Sequence, residues 1–141
     1  MKLVVDASVA LKWFFRDRAD ETDVPEALDI LRGYVDGRHC LVQPAHFQAE
    51  VCGVLARQHG ASVREDLRDL LELRIPTRDD ELVMWRAMQL SAQLDHHLFD
   101  TLYHALALET DGAVLVTADE TYFRKAAALG RLMPLSAWTV H

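Results

Sequence analysis

Four carboxylates stand where their type and spacing could do chemistry. Asp6 ends a short apolar run, residues 2–6 (KLVVD). Glu50 lies inside an amphipathic stretch that Pro44 opens. Asp100 sits at the start of a stretch that is apolar nearly all round, and Asp119 follows another apolar run, residues 113–117. Brought together they make an oxygen-only cluster, which is hard-cation chemistry: Mg²⁺ or Mn²⁺ held by carboxylates, water and a substrate phosphate. Two like charges ~4 Å apart repel by about 4 kcal/mol at an effective dielectric near 20, so four gathered acids call for a cation. The matching reaction is in-line hydrolysis of a phosphodiester by a metal-activated water, without a covalent enzyme intermediate.

Each acid also has a plainer role open to it. Asp6, Asp100 and Asp119 each stand where a helix begins, and a cap contributes about 0.5–2 kcal/mol. Thr117 and Glu120 have the spacing of a capping box. Glu50 is mid-helix at the border of the apolar stripe, where it caps nothing; it either reaches solvent or pairs with Arg57. The four in order, not any one of them, carry the metal reading.

Other polar residues invite the same weighing. His46 precedes Glu50 by four residues, and His96 and His104 flank Asp100 at that spacing. Packing accounts for them; the sharper alternative is that His46 or His104 supplies a nitrogen that favours Mn²⁺ over Mg²⁺. Lys12, Arg16, Arg124 and Lys125 lie near the acid-bearing segments and are candidates for phosphate contact. Trp13, Trp85 and Trp138 read as core and interface packing, since no basic residues interleave with them as on a base-stacking platform.

The elements that must position these residues follow from periodicity. Residues 2–6, 39–42 and 113–117 read as short buried strands, with an edge strand at Leu132 and Met133. Helices are predicted over 8–15, 25–35, from Pro44 to Gly60, 62–73 (Ser62 and Glu65 forming a capping box), 79–94, 99–109 and 120–129. Short strands alternating with helices predict a single α/β domain over 1–141, a small parallel sheet covered by helices on both faces. Ligands of such sheets bind outside the carboxyl ends of the strands, where Asp6 and Asp119 fall.

Composition narrows the classes further. The 141 residues are 50% hydrophobic and 26% charged, enough for a core and against disorder. No apolar run approaches the ~18–20 residues of a membrane span, and no signal-peptide layout is present, so a cytoplasmic protein is expected. Two cysteines without a CxxC spacing argue against a disulfide scaffold or a four-thiolate zinc site. A net charge of −7 argues against holding nucleic acid by charge alone, although a bound cation reverses the local sign.

The segments LVVDASVALKW (3–13), PAHFQAEVCGVL (44–55), FDTLYHALAL (99–108) and LVTADETYFRKA (115–126) resemble those of PIN-domain proteins, most closely the VapC type of toxin ribonuclease. The resemblance implies that Asp6, Glu50, Asp100 and Asp119 form the catalytic and metal site. It implies Mg²⁺ or Mn²⁺, an RNA substrate, a homodimer and a small cognate antitoxin protein. Ser8 and Thr117 match polar positions that support the acids in such proteins. His96-His97, just before Leu98-Phe99-Asp100, departs from the pattern.

Rival phosphoryl-transfer families fit poorly. A haloacid-dehalogenase-type phosphatase needs a second aspartate where this chain has Ser8, and a receiver domain needs a lysine that residues 117–120 lack. Neither GxxxxGK[ST] nor GxGxxG occurs. The alternative from another class is a catalytically idle interaction module on the same fold.

Overall fold

The computed structural model describes residues 1–58 and 60–141. Four strands form one sheet: β1 (Lys2–Val5), β2 (Cys40–Leu41), β3 (Ala113–Thr117) and β4 (Leu132–Pro134), in the order β2-β1-β3-β4 and all parallel. Seven α-helices accompany them among the described residues: α1 (Ala7–Phe14), α2 (Val24–Val35), α3 (Phe47–Gln58), α4 (Val63–Glu72), α5 (Glu81–Leu94), α6 (Leu98–Leu108) and α7 (Glu120–Ala126). Successive strand residues point to opposite faces. Leu3, Val4 and Val5 are nevertheless all buried, so helices cover both faces of β1, as expected for a parallel sheet. The protein is a single α/β domain.

The central register brings the site-bearing ends together. β1 and β3 pair from Lys2 with Ala113 to Val5 with Val116, and the Asp6 N–H continues the ladder to the Val116 carbonyl at 3.0 Å. Asp6 and the residues after Thr117 therefore emerge side by side at the carboxyl edge. On its other side β1 has only a two-residue partner. Gln43 completes that edge with its side chain: Oε1 accepts from Val5 N–H and Nε2 donates to the Val5 carbonyl, both at 2.8 Å. A fully buried amide is costly unless its polar atoms are matched, and here both are.

α6 runs against β1 and β3, and its sequence explains why. From Thr101 to Ala107 every residue is buried, so this helix has no solvent face over two turns. His104, inside that run, is satisfied on both nitrogens: one accepts from the Tyr122 hydroxyl (2.8 Å), the other donates to the Gly130 carbonyl (2.9 Å). It ties α6 to α7 and to the turn that enters β4. Burial holds its imidazole below the usual histidine pKa.

Several local expectations are corrected. Ser62 makes no cap bond to α4, because its backbone belongs to the 3₁₀ turn Gly60–Ser62 that precedes the helix. The Thr117–Glu120 capping box does not form; Asp119 is the N-cap of α7 and accepts from Tyr122 N–H. α5 starts at Glu81, capped by Asp80, instead of at residue 79. The tryptophans need no such correction: Trp13 and Trp138 lie in the core, and Trp85 is 57% exposed.

Candidate metal centre

The local sequence places Asp6 and Asp119 at equivalent corners. Each follows a strand directly or by one residue, and each turns the chain into a helix. Asp6 Oδ2 accepts from Ser8 N–H at 3.0 Å, and Asp119 Oδ1 accepts from Tyr122 N–H at 3.1 Å. The capping role is therefore real for both, but it uses one oxygen of each carboxylate. Ser8 and Thr117 brace the second corner: Ser8 Oγ accepts from Ala118 N–H (3.1 Å) and Thr117 Oγ1 from Asp119 N–H (3.0 Å). The first corner is thereby fastened to the second.

Asp100 arrives from the first turn of α6. His97, not Asp100, is the N-cap, its Nδ1 accepting from Phe99 N–H. Asp100 stands in the turn where a negative charge is favoured by the helix dipole. Its Oδ2 lies 2.8 Å from His96 Nε2. His96, Asp100 and Asp119 each offer an atom within 4.8 Å of the others.

Glu50 enters from α3 and does not pair with solvent alone. Its Oε1 accepts from the Tyr103 hydroxyl at 2.5 Å and lies 3.8 Å from His46 Nε2. That histidine in turn donates to the Phe99 carbonyl (2.8 Å) and packs its ring on Tyr103, with centroids 4.8 Å apart. Burial, then the bond to Glu50, then the charges of Glu50, Asp6 and Asp100 push the Tyr103 phenol far above its ordinary pKa, so it stays a donor.

The acids feel one another. Burial chiefly, with the charges of Asp100 and Glu50 adding to it, raises the Asp6 carboxyl to about 6 against the downward pull of Ser8. Carboxylate oxygens are a donor set that suits Mg²⁺ or a divalent cation of the first row, and such a charge would offset the repulsion felt at Asp6.

Some expectations about the surroundings change. His104 faces Tyr122 and Gly130, away from any ligand role, and the Nε2 of His46 is spent on Phe99. The nitrogen brought to the acids is that of His96. Lys12 is buried in an ion pair with Glu21 at 3.0 Å, which takes it away from phosphate contact, whereas Lys125 does reach the site's edge at His96. Tyr103 was not singled out by the sequence. Its signal was a hydroxyl in a helix buried all round, which must find a partner. Gln43 carried no comparable signal, since its partner lies 38 residues away.

The PIN domain family matches residues 3–129, and the chain belongs to that family. Comparison with curated proteins gives no match. PIN domains are generally nucleases that use divalent metals and act on RNA, and the acidic cluster found here is consistent with that chemistry.

Proposed function

We propose that this protein is an endoribonuclease, the toxin of a toxin–antitoxin pair, in which residues 1–141 form one PIN-type unit. The observation that carries the reading is the approach of Asp100 and Asp119 to within 4.8 Å of one another; Asp6 lies near enough for the charges of Asp100 and Glu50 to raise its carboxyl, and Tyr103 holds Glu50. Asp6, Asp100 and Asp119 would hold Mg²⁺ or Mn²⁺, and Glu50 would hold the cation or orient the attacking water. When bound, the cation clamps the phosphate and lowers the pKa of a water molecule. Ser8 and Thr117 keep the two aspartate corners in register, and the Tyr103 hydroxyl holds the Glu50 carboxylate by Oε1.

The partners follow the same logic. α5 exposes Leu82, Trp85 and Met88, each at least half exposed and spaced to share one face. Such a face supports a homodimer. A cognate antitoxin would inhibit by placing an arginine or lysine among the acids, because an acid pocket attracts a guanidinium fork. The setting proposed is the cytoplasm; no helix among the described residues is long and apolar enough to cross a membrane.

The test is incubation of the purified protein with structured RNAs, with and without Mg²⁺ or Mn²⁺, beside Asp6→Asn. Metal-dependent cleavage that the variant lacks is expected. Cleavage that survives in Asp6→Asn would place the activity elsewhere, and no cleavage of any RNA with no cation binding would favour an idle interaction module.

A further inference from the structure

His96 occupies the short turn between α5 and α6, and both of its ring nitrogens are engaged. Lys125 Nζ lies 3.2 Å from Nδ1 while also donating to the Asp95 carbonyl at 3.0 Å. An ammonium has hydrogens to give and no lone pair. Nδ1 is therefore the acceptor, and the ring hydrogen sits on Nε2. That nitrogen is 2.8 Å from Asp100 Oδ2, so an N–H donates to the carboxylate. The ring itself is fixed by an edge-on contact with Tyr122, at 5.0 Å between centroids and 70° between planes.

We infer that His96 is a positioning residue for the metal site: Lys125 keeps it in the Nε2–H form, and that N–H holds Asp100 by Oδ2 so that Oδ1 is presented to the cation. Proximity alone suggests the opposite, that His96 is itself a ligand, since it offers a ring nitrogen within 4.8 Å of both aspartates. The polarity of its neighbours argues against that. A ligating imidazole binds through a bare nitrogen and gives its other N–H to a carboxylate or carbonyl. Here the far nitrogen faces an ammonium, which cannot accept, and the near one carries the hydrogen. The inference rests on the metal-nuclease reading, and it goes beyond that reading in assigning His96 and Lys125 to the support of Asp100.

The test measures cation binding directly: Mg²⁺ by calorimetry and Mn²⁺ by electron paramagnetic resonance, on the wild type, His96→Ala and His96→Gln. Loss of a bond that orients a ligand costs about 10- to 100-fold in metal affinity. His96→Ala should weaken both ions together by that factor. His96→Gln, whose side-chain amide can donate to Asp100 from nearly the same place, should recover most of it. Mn²⁺ on the wild type should show no ¹⁴N coupling. A ¹⁴N coupling that disappears in His96→Gln overturns the inference and makes His96 a ligand; this arm reads the unaltered site, so it decides even where His96→Ala unsettles the fold. Unchanged affinity in a folded His96→Ala also overturns it. A wild type that binds neither ion overturns the nuclease reading, and this inference with it.

Discussion

The Tyr103 hydroxyl donates to Glu50 Oε1 at 2.5 Å, across 53 residues of sequence and from one helix to another. Tyr103 is fully buried, and Glu50 keeps 28% of its side chain exposed. The acid of a surface-bordering helix is thus tethered from the core side. That tether fixes Oε1 of Glu50, whose charge is felt at Asp6.

Tyr103→Phe keeps the ring and removes the tether. A hydrogen bond to a charged group contributes about 1.5–3 kcal/mol, and the partial exposure of Glu50 puts the cost at the lower end. RNA cleavage should fall about 10- to 100-fold, as when a bond to a metal-site carboxylate is lost. Thermal unfolding and cleavage rates measured together check this; full activity in a destabilised variant would reduce the bond to a structural one.

Asp100→Asn should abolish cleavage, by at least about 100-fold, the scale of losing one electrostatic stabiliser. The apo protein should be equally or more stable, because one like charge leaves the group around Asp6. The small opposing term is the favourable charge in the first turn of α6, about 0.3–1 kcal/mol. Denaturant unfolding without metal, beside a cleavage assay, reads both. Wild-type rates would reject the site assignment.

A divalent cation should raise the melting temperature, since it binds the folded chain and not the unfolded one. The gain is about 2.7 kcal/mol at 100 times Kd. It should vanish when Asp100 and Asp119 are both changed to asparagine. An unchanged midpoint of the wild type in millimolar Mg²⁺ and Mn²⁺ would count against a metal centre.

Acid should unfold the protein partly through Asp29, a buried carboxyl of α2 outside the candidate site. Burial pushes this carboxyl up. The hydrogen bonds from Trp138 and His141 and the Arg38 guanidinium outweigh it and hold the pKa down to about 2, from 3.8. A folded value below the unfolded one contributes stability that is complete above pH 3.8 and is lost as the pH falls toward 2. Asp29→Asn should cost about 1–3 kcal/mol at neutral pH and flatten that limb. Unfolding midpoints across pH 2–5 check it, and parallel acid limbs in the two proteins would reject the role given to Asp29.

Trp85→Glu places a charge in the middle of the exposed α5 face. The variant should keep its melting temperature as a monomer, because that side chain is 57% exposed within the chain. Light scattering should show a dimer for the wild type and a monomer for the variant. A wild type that is monomeric at high concentration removes the homodimer from the proposal.

The amino-acid sequence by itself determined the alternation of strands and helices, and with it the class of fold. Short apolar runs and helical periodicity are local properties, so β3 at 113–117 and the buried character of α6 could be read directly. Parallel pairing then put Asp6 and Asp119 at one edge, because every strand of such a sheet ends on the same side. Helix starts were less readable at Ser62 and Thr117. There the capping spacing is present, but Ser62, at the N-cap of α4, lies in a 3₁₀ turn and makes no side-chain cap bond, and at α7 Asp119 takes the N-cap. What only the tertiary structure decided is which polar atoms meet. Glu50 turns to Tyr103 and not Arg57, His96 rather than His46 or His104 reaches the aspartates, and Lys12 is taken by Glu21. These choices join residues far apart in the chain, and their energies depend on burial and on which donor reaches an acceptor first. Spacing along the sequence holds neither quantity.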